Sequence, residues 1–271
     1  MSFALTLAFL FFIGSVFGWF LELFYRNLCK PRKPGQKWIN PGFCTGPYVP
    51  LYGFGLCTLF LLALVEEKHL IENPVLNKTV TILVMAVAMT VIEYLAGILC
   101  LKVFHVRLWD YSQLWGNVQG LICPVFSLIW GLIGGAYDLL VHPYILGALH
   151  WLSHNLAFSF FIGAFFGVFA IDVIHSAGIV QKIRAFGKEN DVVVIFEAIK
   201  EHIEEHRRQR RQKYNFFRPF QTDLTLGDHL KDMYERIEIE KETARLRRRQ
   251  AKKNWQAKKN WQAKKKKRKA K

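Results

Sequence analysis

TVTILVMAVAMTVIEYLAGILCL, residues 79–101, places one charged side chain, Glu93, in a run of 23 residues. A bilayer core needs about 20 apolar residues at helical rise, so this run reads as a membrane span and decides the fold. Other stretches repeat the pattern. No charge occurs before Glu22, between Lys37 and Glu66, between Asp110 and Asp138, or between Asp138 and Asp172. The expected spans are residues 3–25, 48–65, 79–101, 121–141 and 156–177, giving an all-α polytopic membrane bundle of five helices within a domain of residues 1–180. The first run lacks a basic start and a small-residue cleavage site, so it is kept as a span and not as a signal peptide.

Charge separates this domain from the remainder of the chain. Residues 1–180 hold 9 Lys/Arg and 8 Asp/Glu; residues 181–271 hold 28 and 13 and supply nearly all of the +16 net charge. Arg26, Lys30, Arg32, Lys33 and Lys37 fall between the first two spans, and Lys102 and Arg107 between the third and fourth. That bias places these loops and the C-terminal region in the cytoplasm and the N-terminus outside, as expected of a multi-pass cell-membrane protein.

Residues 181–250 read as an amphipathic cytoplasmic region. One helix is expected in DVVVIFEAIKEHIEEH (191–206), with Val192, Phe196, Ile199 and Ile203 on one stripe. A second is expected near Asp228, with Leu230, Met233 and Ile237. Residues 251–271, AKKNWQAKKNWQAKKKKRKAK, repeat one six-residue unit before a lysine run and read as disordered. Such a tail, with Trp255 and Trp261, suits an anionic lipid surface; a solvated tail is the plainer reading, and nucleic acid is disfavoured because no folded module accompanies the charge.

Within the spans the ionisable residues are the sharpest signal. Glu93 falls near the bilayer centre, where an ionised carboxylate costs at least ~2.5 kcal/mol, so it marks a pathway or is held by a buried hydrogen bond. Glu22 has Arg26 one helical turn on, a spacing for an ion pair. Asp138 and Asp172 lie nearer helix ends. The approach to the second helix gathers Gly42, Gly46, Pro47, Pro50 and Gly53, and the approach to the fourth repeats its spacing with Gly120 and Pro124. These stretches are either broken helix lining a cavity or tight loops capped by ordinary helices. The echo, with Glu22 and Glu93 similarly placed upstream, suggests that helices 1–2 and 3–4 are repeats.

Between helices 3 and 4, Trp109, Tyr111 and Trp115 suit the interfacial belt, and Arg107 and Asp110 are spaced to pair across a helical turn. Tyr94, beside Glu93, and Asn117 are further pathway or ligand candidates. His142, His150 and His154 with Asp138 are candidate metal ligands at the outer surface, against a plainer reading as headgroup residues. Five cysteines without a CxxC pair argue against a disulfide framework or a zinc site. No GxSxG, HExxH or dinucleotide glycine motif is present, and the chain is read as a non-enzyme.

FGWFLELFYR (17–26), NPGFCTGPYVPLYGFG (40–55), IEYLAGILCLKVFHVRLWDYS (92–112), GNVQGLICPVFSLIWGLIG (116–134) and HP (142–143) together resemble the bacterial multi-pass membrane family known as "putative ABC transporter permeases". The resemblance covers about residues 5–145. The family pattern has Asn-Gly-Arg-Ile-Cys where this chain has Gln119-Gly120-Leu121-Ile122-Cys123, so the arginine charge is missing here. The resemblance implies a permease-like subunit for a small solute or ion. With no GxxxxGK[ST] loop, ATP would be used only through a separate ATP-binding subunit. Five spans are few for a complete pathway, which points to a homo-oligomer or a mixed assembly. The alternative is a non-transporting scaffold or lipid-interacting protein whose basic tail recruits a partner.

Overall fold

The long uncharged runs become helices, and their ends follow from proline and glycine. A computed structural model describes residues 2–29, 38–68, 71–210, 220 and 222–243. By internal contacts these fall into two units, Met1–Asp223 and Leu224–Lys271. The described part of the first holds α1 (Phe3–Cys29), α2 (Pro50–Glu66), α3 (Pro74–Phe104), α4 (Pro124–Ala136), α5 (His142–His154), α6 (Ser159–Glu189) and α7 (Phe196–Gln209). It therefore includes α7, which the sequence reading set apart with the cytoplasmic region.

Proline opens α2, α3 and α4 as their first residue, where a missing N–H costs nothing. Asn73 caps α3 by accepting from the N–H groups of Val75 and Leu76 at 3.0 and 3.2 Å. α1, α3, the continuous stretch Pro124–His154 and Leu156–Glu189 are long and apolar enough to cross a membrane; α2, at 17 residues, is shorter. The fold is an all-α polytopic membrane bundle.

Two boundaries differ from expectation. The fourth span does not end at residue 141: a π-helical turn, Tyr137–Val141, carries α4 straight into α5. Pro143 explains this, because its ring would collide with the carbonyl of Leu139 in an α-helix and the wider turn gives that carbonyl room. The fifth span runs to Glu189 and not to 177. At 31 residues it is about 46 Å long, well beyond a ~30 Å hydrocarbon core, so one end projects past the bilayer.

α1 packs on α2, α2 on α3 and α3 on α4 around a core that includes Leu10, Leu59, Phe60, Met85, Trp130 and Leu152. The α1–α2 and α3–α4 hairpins share features of plan. Pro50 and Pro124 each open the second helix, and each is preceded eight residues earlier by a glycine with positive φ, Gly42 at 78° and Gly116 at 67°.

Gly53 lies inside α2 and does not break it. A Cβ there would strike the Ser15 hydroxyl and come within 2.7 Å of the Phe11 carbonyl oxygen, so the residue sets how closely α1 and α2 approach. Gly53→Ala is expected to destabilise the bundle by ~1–3 kcal/mol through overpacking, lowering the detergent melting temperature. Gly163→Ala on α6, where nothing lies within 4 Å, is the matched control and should not lower it, since alanine favours the helix.

Beyond the spans, Val106–Arg107 (β1) pairs in parallel with Val194–Ile195 (β2). This tie joins the segment after α3 to the strand that leads into α7. In the second unit a helix over 226–243 (α8) begins with Thr225 and Asp228 in a reciprocal cap: the Thr225 N–H donates to the Asp228 carboxylate and the Asp228 N–H to the Thr225 hydroxyl. The Lys/Trp-rich tail and the basic residues Lys30, Arg32, Lys33 and Lys37 lie outside the described residues.

Candidate functional site

Glu93 is 3% exposed, on the face of α3 that meets α4, and closer to Phe104 than to Pro74. Its two carboxylate oxygens each accept one hydrogen bond, from the Tyr111 hydroxyl and from the Trp130 indole N–H, both at 3.0 Å. Both donors are neutral. Burial, and next the nearby Glu93 charge, push the Tyr111 phenol well above its ordinary value, so it remains a donor. Tyr94, the next residue on α3, is half-buried and takes no part in these bonds.

The other hairpin carries a matching centre. Glu22 on α1 accepts from the Tyr52 hydroxyl of α2 at 3.1 Å and from Arg26 at 2.9 Å. The Arg26 guanidinium also reaches Glu197 of α7 at 2.6 Å. Aromatic rings close the space between the halves. Tyr52 lies 5.8 Å from Trp130 by ring centroid, Tyr111 stacks on Phe126 at 4.3 Å, and Tyr25 meets Phe126 edge-on at 6.5 Å. Each acidic residue is thus bonded by an aromatic residue from the second helix of its own hairpin, and Glu93 by one from the loop as well; the rings join the two.

The loop residues named from the sequence brace this centre. Arg107 and Asp110 pair at 2.7 Å, not across a helical turn as expected but within non-helical backbone. Burial alone would raise the Asp110 carboxyl; hydrogen bonds from Ser112 and from Arg107, with the guanidinium charge, hold it below the usual aspartate value. Gly120 has φ 69°, and a Cβ there would strike Arg107 and sit 2.8 Å from Asp110 Oδ1. Trp109 donates to the Leu121 carbonyl at 2.8 Å; Asn117 donates to the Leu114 carbonyl at 2.8 Å and accepts from the Gly120 N–H at 3.0 Å. Tyr111 is held where it meets Glu93 by this folded loop.

The Gly/Pro approach to α2 is a tied loop that leads into an uninterrupted helix. Asp172 of α6 accepts from the backbone N–H groups of Thr45 and Gly46 and from the hydroxyls of Thr45, Tyr48 and Ser176. Trp19 donates to Asn40 at 2.7 Å, and Asn40 donates to the Thr45 carbonyl at 2.6 Å. Cys44 is buried here, and burial and next Asp172 push its thiol up to about 12.

At the opposite end of the helices Lys78 of α3 pairs with Asp138 at 2.6 Å and Glu66 at 3.0 Å. His142 lies 3.0 Å from the Tyr137 hydroxyl and 3.3 Å from Glu67. His150 and His154 face one another on α5, with ring centroids 4.5 Å apart. Among the described residues no group of three His, Cys, Asp or Glu side chains is placed to hold a metal ion, and the four proposed ligands are not brought together. The reason is local: Asp138 is engaged by Lys78 of α3, whereas His142 is engaged by Tyr137 and Glu67.

The family model described as "Putative ABC-transporter type IV" matches residues 9–177. The chain belongs to this family. The match extends past the sequence resemblance into α6 and so takes in Glu22, Glu93, their aromatic partners and Asp172. No curated protein and no solved structure gives a significant match.

α7 lies outside the span matched to the type IV ABC-transporter family, and it supplies the feature that sequence reasoning missed. Lys200 is 4% exposed, donates to the carbonyls of Asn40 and Gly42 at 3.0 and 2.8 Å, and sits 4.7 Å from the centre of the Phe196 ring. The signal was present: Lys200 falls four residues after Phe196, on the stripe that also holds Ile199 and Ile203. Burial, then the Arg26 charge, depress its amine to about 7.

An exposed lysine titrates near 10.4, so docking of α7 releases a proton between pH 7 and 10. Docking is therefore expected to strengthen as pH rises through that window and to be independent of pH below it. The melting temperature in detergent should climb from pH 7 to 9.5, and Lys200→Met should flatten the slope. An equal slope in the variant would assign the effect to other groups.

Proposed function

We propose that this member of the type IV ABC-transporter family is the membrane-spanning, permease-like subunit of a transport system for a small solute or ion. ATP hydrolysis is supplied by a separate ATP-binding subunit. The observation that carries this reading is the Glu93 centre: a buried carboxylate in a membrane span, bonded by the neutral donors Tyr111 and Trp130, with Trp130 lying against the Tyr52 ring that bonds a second carboxylate, Glu22. Intramembrane carboxylates are costly and are kept where a pathway needs them.

The end carrying residues 38–49, 105–123 and α7 faces the cytoplasm in this reading, as the Lys/Arg of the first and third loops imply. The tied loops at that end offer a preformed surface for the ATP-binding subunit. The test is purification in mild detergent with the tail intact. An ATP-binding protein at fixed ratio, and ATP-dependent solute movement in vesicles holding both, are the expected results. Purification without such a subunit, and vesicles that move nothing, would overturn it.

One observation favours a second reading. Asp172 and Lys200 tie the 38–49 loop to α6 and α7 through a dense set of hydrogen bonds, as suits a rigid scaffold that presents its basic tail to anionic lipid. A scaffold predicts flotation with anionic vesicles that is lost on removing residues 251–271, and no solute movement.

A further inference from the structure

We infer that the Glu93 centre binds an organic cation, of the size of a small alkylammonium ion, between the two carboxylates and their surrounding rings. The inference rests on the permease reading for its purpose but not for its chemistry. Two features carry it.

The first is charge. Glu22 and Glu197 share Arg26, whereas Glu93, outside that ion-paired group, is bonded by the neutral donors Tyr111 and Trp130. A buried carboxylate with neutral partners is complementary to a positive charge, since each partner lowers its energy less than an ion does.

The second is the kind of wall. Tyr111 and Trp130 bond Glu93 and Tyr52 bonds Glu22; Tyr52 lies against Trp130, and Tyr25 and Tyr111 lie against Phe126. Exposure falls along them, from Tyr25 at 41% through half-buried Phe126 and Tyr111 to buried Trp130. Faces of tyrosine, phenylalanine and tryptophan attract cations and do so most strongly for weakly hydrated ones, which lose little water on entering. A metal ion would want oxygen or imidazole ligands in number, and this centre offers aromatic rings; an anion would meet two carboxylates. A small alkylammonium fits both the charge and the wall. It takes up the carboxylate oxygen to which Tyr111 donates, displacing the Tyr111 hydroxyl from Glu93.

The experiment is isothermal titration of the detergent-purified full chain with tetramethylammonium chloride and methylammonium chloride, with sodium chloride at equal ionic strength and sodium acetate as controls. The expected result is saturable binding of the ammonium ions and none of sodium or acetate. Glu93→Gln should weaken binding by about 100-fold or more, the scale of a lost ion pair out of water. Tyr111→Leu should weaken it by about threefold to thirtyfold, whereas Tyr111→Phe, which keeps the ring and removes only the hydroxyl, should bind as well as the native chain. Because Tyr111→Phe and Tyr111→Leu both lose the bond to Glu93, their difference reports the ring and not folding.

Absence of ammonium binding, or binding unchanged in a folded Glu93→Gln protein, would overturn the inference. The two readings separate cleanly. Ammonium binding without any transport removes the permease reading and leaves this one; transport of an uncharged or anionic solute with no ammonium binding does the reverse.

Discussion

Glu93→Gln is expected to abolish solute movement while leaving a folded, inserted protein. Gln keeps the shape of the side chain and one acceptor oxygen, but it offers an NH2 group where the carboxylate offered a second acceptor. One of the two donors, the Tyr111 hydroxyl or the Trp130 N–H, then faces another donor, at a cost of ~1–3 kcal/mol. Against that loss stands the removal of an ionisable group from the bundle interior, which lowers the energy of the folded state by a similar amount. The two roughly cancel, so the melting temperature should move by only a few degrees. On the permease reading, transport depends on the negative charge and should fall to background. If instead the variant transports normally, or fails to accumulate as folded protein while Trp130→Phe does likewise, the carboxylate is a packing element and the pathway lies elsewhere.

Asp172→Ala is expected to have the larger effect on stability. The carboxylate is the common acceptor for two backbone N–H groups and three hydroxyls, drawn from α6 itself and from residues 45–48. Truncation leaves these donors unpaired in one place. Each orphan costs ~1–3 kcal/mol, and even partial relaxation leaves a loss of ~3–5 kcal/mol, a large share of the roughly 5–15 kcal/mol that holds an ordinary domain folded. The loop should come loose from α6 before the bundle melts. Cys44, buried within it, reports this directly: the native thiol should resist a maleimide at pH 7, and the Asp172→Ala thiol should react quickly. A variant that purifies in native yield with Cys44 still protected would show that Trp19, Asn40 and Lys200 suffice to hold the loop.

The helices were legible because an uncharged run of 20 residues has few other uses, and Glu93 stood out as the single charge in its run. The start of each hairpin's second helix was legible to within two or three residues, expected at 48 and 121 and found at Pro50 and Pro124. The end of the fourth span was not. His142-Pro143 reads locally as a stop, since proline normally ends a helix one residue earlier, whereas the wider π-helical turn over Tyr137–Val141 lets the helix continue past the proline ring. Long-range pairing hid the rest. Nothing near Asp172 in the sequence announces that its partners are Thr45 and Tyr48, and nothing near Lys78 points to Asp138. Lys200 is the instructive case, because its place on the apolar stripe of α7 was visible and reads as a flaw in amphipathicity until the two loop carbonyls that receive it are known.

The two-residue pairing of β1 with β2 gives the chain a mechanical linkage. β1 is followed within a few residues by Tyr111, whose hydroxyl rests on Glu93, and β2 runs directly into α7. The loop after β1 is braced by Arg107–Asp110 and by Asn117, so it behaves as a short lever and not as slack. A displacement of α7 would therefore pull, through β2 and β1, on the loop that carries the phenol bonded to the buried carboxylate.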